Sequence, residues 1–284
     1  MANTDTSSPV VLTQRVELPK SGKNAVVVSL NRPTKKNCFN AEVCSSLSKM
    51  FSDIANEIAG DPQTDISAVI FTGVGKSFCA GADLSNPPNP LHQSSDLHER
   101  LLSNPVHQMS TVGVPIIGAL RGHVITGGFE LALACDILVG DETTKFRDTH
   151  VKFGLAPCWG LSQRLQRRIG KGRAALVSYT ARPVPADQAL RWGLLDDLVP
   201  SGGGDVLSRA LEIADDIGRN DSTMVRRYKR ALIEGGETEL RKGMQREREL
   251  GIAHYLEAME DGHTFEDAKE FITDTDRPRM QSKL

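Results

Sequence analysis

The chain has 284 residues, of which 39% are hydrophobic and 25% charged, and its formal net charge is −2. This length suits one large domain or two small ones with a sizeable core. The weak net charge excludes a global field that would draw in nucleic acid or an anionic membrane. No apolar run approaches the ~20 residues of a transmembrane helix, and the first nine residues lack the order of a signal peptide. We therefore expect no membrane span.

The first third of the chain alternates between strand and helix patterns. Val10–Leu18 and Ala25–Leu30 have the composition of strands around a turn at Lys20-Ser21-Gly22. Asn40 is a predicted N-cap for a helix that ends at Gly60, because apolar residues recur at spacings of three and four. A buried strand is predicted at 66–72, and the proline-rich segment 86–90 is predicted to be an exposed loop.

The rest of the chain continues this alternation and then becomes helical. Strands are predicted at 114–120 and 137–139, and the segment 145–151 is compatible with an extended strand. Helices are predicted at 163–169, 172–180, 185–192 and 206–217, and amphipathic helix dominates 222–271. Alternating strands and helices indicate an α/β core.

The five cysteines are scattered through apolar segments and form no CxxC pair; they are Cys38, Cys44, Cys79, Cys135 and Cys158. An odd number in this arrangement is typical of reduced, buried thiols in an intracellular protein. We expect no metal site, because the paired spacing of metal ligands is missing.

Two glycine-containing turns carry the chemical signal. Gly127 and Gly128 precede an apolar helix with a single carboxylate, Glu130, in its first turn. The amides at a helix start have no intrahelical partner, and the helix dipole favours negative charge there. A second turn, Ala80–Asp83, also follows a buried segment and consists of small residues that allow close backbone approach. Together the two turns suit a pair of N–H donors on one oxygen, beside a carboxylate base.

At this point the sequence resembles the crotonase superfamily, the enoyl-CoA hydratase/isomerase family, from about Val10 to about Arg279. The resemblance rests on five pieces in the family's order, which are Asn31-Arg32-Pro33, Ala80-Gly81-Ala82-Asp83, Gly127 to Asp136, Gln163-Arg164-Leu165 and Trp192-Gly193-Leu194. It implies an α/β crotonase (ClpP-like) fold, a spiral of ββα units followed by a C-terminal helical trimerisation region. It also implies a homotrimer or homohexamer.

The expected organisation follows from that resemblance. Residues 1–9 are a flexible N-terminus, 10–200 the spiral core with the active site, 201–274 the C-terminal helical region, and 275–284 a tail. The tail closes on Ser282-Lys283-Leu284, which matches a peroxisomal address. The expected location is therefore the peroxisome, with the import receptor as a partner.

The resemblance also assigns site residues. It places the oxyanion N–H donors at Ala82 and Gly127 and a catalytic carboxylate at Glu130. It implies contacts with coenzyme A along the loop Ala80, Gly81, Ala82, Asp83 and Leu84, and near Arg32. Coenzyme A is part of the acyl-CoA substrate, so no separate cofactor is expected.

The chain departs from the family pattern at the second acid. Typical hydratases carry a glutamate shortly before a Gly-x-x-Pro turn; here the turn is 154–157 and the matching residue is His150. Imidazole donates or accepts protons near neutral pH, with an ordinary pKa of about 6.5. Asp148 would share a face with His150 on an extended segment and orient its ring. The alternative is that His150 is a polar substitution in a site that has lost hydratase activity.

The sequence thus predicts an enoyl-CoA hydratase-like enzyme, which adds water to the 2,3 double bond of a trans-2-enoyl-CoA in fatty-acid β-oxidation. One alternative is a Δ3,Δ2-enoyl-CoA isomerase, which can work with one carboxylate. The other is a non-catalytic protein of the same fold that binds acyl-CoA.

Overall fold

A computed structural model describes residues 8–61, 64–85, 103–236 and 238–260, with side chains to residue 254. The predicted loop at 86–90 and the tripeptide 282–284 lie outside these ranges. Contacts divide the chain into two compact units, with the division between Arg226 and Arg227.

The first unit is built on two sheets. A six-stranded sheet has the order β1-β2-β3-β4-β6-β9, and a three-stranded sheet has the order β5-β7-β8. The strands are β1 (Val11–Glu17), β2 (Asn24–Leu30), β3 (Ile66–Gly73), β4 (Ile116–Leu120), β5 (His123–Ile125), β6 (Ile137–Asp141), β7 (Lys145–Arg147), β8 (Val184–Pro185) and β9 (Asp197–Val199). In the larger sheet only the β1–β2 pair is antiparallel.

Helices cover both faces of the larger sheet, which explains why every residue of β3 is buried. On one face, the helix Ala41–Gly60 contributes Leu47 and Phe51 to the main core. On the other face, the helix Val206–Gly218 packs its Ala210 and Ala214 with residues of β2, β3, β4 and β6. This helix, which the sequence analysis grouped with the C-terminal region, therefore belongs to the first unit.

The other helices in the described part of the first unit are short. They are a 3₁₀ turn at Pro33–Lys35 and helices at Pro105–Thr111, Gly127–Leu133, His150–Phe153, Leu161–Ile169, Lys171–Thr180 and Ala186–Trp192. The predicted cap at Asn40 is confirmed, because its side-chain oxygen accepts the Val43 amide at 3.0 Å. The predicted amphipathic segment after residue 222 forms two helices, Ser222–Gly236 and Leu240–Glu260.

The prediction of an extended segment through 145–151 is wrong beyond Arg147. The strand β7 ends there, and a short helix begins at His150. The cause is local: Asp148 Oδ1 accepts the backbone N–H of His150 at 3.0 Å. Aspartate side chains bond in this way to the backbone two residues on, and the bond turns the chain.

The cysteines are free, as expected, but not all are buried. Cys44, Cys79 and Cys135 are buried, whereas Cys158 is exposed and Cys38 is half-buried. The described residues contain no helix that is long and apolar enough to cross a membrane. Within the same ranges, no three His, Cys, Asp or Glu side chains converge as metal ligands would.

The tight packing at the start of the helix Gly127–Leu133 gives a stability prediction. A Cβ added to Gly128 would lie 2.4 Å from the Cys79 carbonyl oxygen. We expect Gly128→Ala to lower the free energy of unfolding by about 1–3 kcal/mol or more, measured by urea denaturation, because two backbone segments must separate.

The matched control is Gly172→Ala. Gly172 lies in the helix Lys171–Thr180, and a Cβ there would have no neighbour within 4 Å. Alanine should raise the free energy of unfolding there, by up to about 1 kcal/mol. Equal stability of the two variants would contradict the close approach at Gly128.

Candidate active site

Two turns of the first unit meet at the side chain of Phe39. The backbone of Phe39 forms a parallel bridge with Ala82, and its amide donates to the Gly81 carbonyl at 3.0 Å. The ring of Phe39 lies against the other turn, since a Cβ on Gly127 would come within 2.4 Å of its Cζ. Ala82 and Gly127 therefore both lie next to Phe39, Ala82 along its backbone and Gly127 against its ring.

The backbone N–H groups of Ala82 and Gly127 are the two donors that the resemblance assigns to the oxyanion. Within the described parts of the chain, no hydrogen bond joins the N–H of Ala82 or Gly127 to another residue. Gly127 does not have a positive φ, so glycine is needed there for close approach alone. Gly81, by contrast, has a φ of +96°, which favours glycine on conformational grounds as well.

Glu130 is buried, with a residue exposure of 2%, and is held through one oxygen. Its Oε1 accepts the backbone N–H of Trp159 at 2.8 Å and that of Leu161 at 3.3 Å. Leu161 is the first residue of the helix Leu161–Ile169, where amides lack intrahelical partners, and Trp159 directly precedes the N-cap, Gly160. The second oxygen, Oε2, faces His150.

The structure brings together the three ionisable residues that the sequence analysis singled out. The Nε2 atom of His150 lies 3.9 Å from Glu130 Oε2, and its Nδ1 lies 2.7 Å from Asp148 Oδ1. His150 and Asp148 are buried, like Glu130. If the Nδ1 proton is donated to Asp148, the imidazole presents Nε2 to Glu130.

Burial and neighbouring charges shift the pKa values of these three residues in opposite directions. Burial raises the pKa of Glu130, and the Trp159 amide and His150 only partly oppose it. Burial alone would lower the pKa of His150, but the hydrogen bond and charge of Asp148, with the charge of Glu130, raise it overall. Although burial works against it, the pKa of Asp148 is lowered by its bonds with His150. The arrangement favours a carboxylate at Asp148 and an imidazolium at His150.

Comparison with known proteins identifies the family of this chain. The family model described as enoyl-CoA hydratase/isomerase matches residues 20–269. The chain is 37% identical over 269 residues to a probable peroxisomal enoyl-CoA hydratase 1 of Arabidopsis thaliana, covering 95% of this chain and 97% of that protein. This chain belongs to the enoyl-CoA hydratase/isomerase family.

Further relatives support the same assignment. A short-chain-enoyl-CoA hydratase of Clostridium acetobutylicum is 32% identical, with 91% of this chain and 93% of that protein covered. A solved enoyl-CoA hydratase from Bacillus anthracis is 28% identical, with a TM-score of 0.72 and coverage of 90% and 97%. The predicted α/β crotonase fold, with mixed sheets and C-terminal helices, is thereby confirmed.

Among the residues assigned to coenzyme A, Arg32 and Asp83 contact each other. Arg32 Nη2 lies 2.9 Å from Asp83 Oδ2, and its Nη1 donates to the Cys38 carbonyl. Hydrogen bonds from Ser85 and then from Arg32 hold the pKa of Asp83 well below its usual range. Arg32 therefore holds the turn that contains Ala82. Its contact with coenzyme A stays a prediction.

Leu84, in contrast, is 68% exposed. An apolar side chain that is open to solvent beside this turn is available for a ligand. The backbone of Ala80 is used by the fold, because its amide donates to the Lys36 carbonyl at 3.0 Å.

Sequence reasoning missed the residues that hold the site together. The ring of Trp159 packs on Phe39 with centroids 5.0 Å apart, while its amide bonds to Glu130. The available sequence signal was a glycine before the helical pattern: Gly160 has a φ of +101° and is the N-cap of the helix that follows. The predicted helix began two residues late, at Gln163, so its free N-terminal amides were not considered.

The contact between Asp148 and His150 gives a prediction about protonation in this family member. The anionic carboxylate stabilises the imidazolium, so Asp148→Asn should lower the pKa of His150. In the wild-type protein the pKa should lie above about 6.5, the ordinary value for histidine. The measurement is a ¹³C NMR titration of labelled histidine, with the His150 signal assigned from His150→Gln. An unchanged or higher pKa in Asp148→Asn would contradict the proposed charge on Asp148.

Proposed function

We propose that this protein is an enoyl-CoA hydratase, which adds water to the 2,3 double bond of a trans-2-enoyl-CoA in fatty-acid β-oxidation. The observation that carries the proposal is the approach of Glu130 Oε2 to His150 Nε2, at 3.9 Å. Hydration needs one group that removes a proton from water and one that delivers a proton to carbon. A buried carboxylate that faces a buried imidazole supplies both.

In this reaction Glu130 is the base and His150 the acid. Glu130 Oε2 removes a proton from water, the water oxygen bonds to C3, and the electron pair of the double bond moves towards the thioester carbonyl. When the carbonyl re-forms, His150 delivers its Nε2 proton to C2. The proton on Glu130 then passes back to His150, since the two atoms face each other. The net change is the addition of one water.

The thioester carbonyl needs donors as negative charge develops on its oxygen. The amides of Ala82 and Gly127 suit this role, because they border Phe39 together and the described fold leaves them without partners. The loss of one such donor typically lowers the rate by about 10²–10³-fold. The substrate is a CoA thioester, bound along the loop Ala80–Leu84.

The Glu130–His150 pair also helps to distinguish hydration from the alternative reaction, isomerisation. An isomerase moves one proton between C2 and C4 and can use Glu130 alone. The buried Asp148–His150 pair would then have no proton to transfer, although it faces Glu130 at close range. We therefore favour hydration over isomerisation and over binding without catalysis.

The deciding assay uses purified protein with crotonyl-CoA and longer trans-2-enoyl-CoA esters. We expect the absorbance of the conjugated thioester to fall as water is added. In parallel, 3-enoyl-CoA is supplied as the isomerase substrate. If conjugated esters of every chain length are unchanged while 3-enoyl-CoA is converted, hydration is rejected.

Two variants assign the roles within this assay. Glu130→Gln keeps the size of the side chain and removes the base, so kcat should fall by at least about 10²-fold. His150→Gln removes the acid and should lower kcat as well, and His150→Glu tests whether a carboxylic acid can replace the imidazole. An unchanged kcat in Glu130→Gln would remove this residue from the mechanism.

Peroxisomal localisation is part of the proposal. It rests on Ser282-Lys283-Leu284, which an import receptor would bind, and on the peroxisomal description of the Arabidopsis relative. The full chain carrying an N-terminal fluorescent protein should coincide with a peroxisomal marker in eukaryotic cells. Deletion of the three residues should leave it in the cytosol, and unaltered import of the deletion variant would refute the address.

A further inference from the structure

Thr126 occupies a backbone conformation that its side chain disfavours. It lies between β5 and the helix Gly127–Leu133, with φ of 52° and ψ of −110°. These angles are those of the first central residue of a type II′ turn, a position that normally takes glycine. For a β-branched residue a positive φ is a genuine outlier. Such strain persists only where surrounding contacts hold it, and it concentrates at functional sites.

The contacts that hold Thr126 come from the segment that carries Asp148 and His150. The side-chain oxygen of Thr126 accepts the backbone N–H of Thr149 at 3.1 Å, and the two threonine hydroxyls are hydrogen-bonded to each other. The Thr126 amide also donates to the Arg147 carbonyl at 2.9 Å. Thr149 is buried, so this contact is shielded from water.

The position of Thr126 links the two halves of the proposed site. On one side, its ψ angle sets the plane of the peptide that ends in the Gly127 N–H, because a peptide unit is rigid. Its carbonyl accepts the Glu130 amide at 3.0 Å, which fixes the first turn of the helix that carries the carboxylate. On the other side, its hydroxyl is bonded to Thr149, which lies between Asp148 and His150.

We propose that Thr126 is a positioning residue, whose hydroxyl clamps Thr149 and thereby aims the Gly127 amide and sets Glu130 opposite His150. The inference rests on the proposed function for its effect on turnover, but not for its effect on the protonation of His150. Glycine would fit the turn without strain, and what the threonine side chain adds at this position is a hydroxyl bonded to Thr149. Thr126 itself touches no reacting atom.

The test separates the hydroxyl from the backbone strain. Thr126→Gly removes both, so thermal stability should stay equal or rise, whereas kcat with crotonyl-CoA should fall roughly 10- to 100-fold with little change in KM. Thr126→Ser restores the hydroxyl and should recover kcat to within about threefold of wild type. Thr126→Val keeps the strain without the hydroxyl and should lose both stability and kcat.

A readout that does not need turnover is the His150 titration. Among the described residues, the ionisable groups that face its imidazole are Asp148 and Glu130. When the clamp is removed, Thr149 and the adjacent His150 are no longer held opposite Glu130, so the pKa of His150 should fall in Thr126→Gly and recover in Thr126→Ser. If the wild-type protein hydrates no enoyl-CoA, the proposed function fails, and this titration still decides the role of Thr126.

Thr72→Val is the matched control. Thr72 is also a buried threonine, and its hydroxyl donates to the Ala119 carbonyl at 2.8 Å within the larger sheet. Its loss should lower thermal stability and leave both kcat and the His150 titration unchanged. The proposal is overturned if Thr126→Gly keeps the wild-type kcat and His150 pKa, or if Thr126→Ser is as impaired as Thr126→Gly.

Discussion

The site depends on holding an ionisable carboxylate, Glu130, in a buried position. Burying an unpaired carboxylate costs several kcal/mol, so the chain must supply compensating contacts. It does so with the amides of Trp159 and Leu161 on one oxygen and with His150 facing the other. Both amides lie at or just before the start of the helix Leu161–Ile169, whose dipole also favours an anion there. The ionisation of Glu130 therefore depends on where that helix begins.

Much of the fold could be predicted from the sequence because its signals are local. The strand at Ile66–Gly73 contains the apolar run Ala68–Phe71, and the structure buries the whole strand between two helical layers. Asn40 is a polar residue directly before a helical apolar pattern, and it caps that helix. These features depend on residues within one or two turns of each other, so a single sequence is enough to predict them.

The remaining features depend on contacts between distant residues or on competition between local ones. Trp159 lies 29 residues from Glu130. Gly160 marks the start of a helix, but neither segment identifies the other as its hydrogen-bond partner. Near His150, the sequence is compatible with an extended strand, but the Asp148 side chain accepts a hydrogen bond from the His150 amide and turns the chain. The conformation of Thr126 is harder still to predict, because a threonine disfavours a positive φ. The angle is held by a hydrogen bond with Thr149, which lies in another segment.

A histidine at position 150, where typical hydratases have a glutamate, is compatible with the proposed chemistry because the net charge of the site is the same. A site with two carboxylic groups that share one proton carries a net charge of −1. In this protein, Glu130 and Asp148 as carboxylates with His150 as imidazolium carry the same net charge and the same transferable proton. The proton resides on nitrogen rather than oxygen, and Asp148 raises the affinity of that nitrogen for it. A histidine alone at this position would lack that support, so the functional replacement for the second acid is the Asp148–His150 pair.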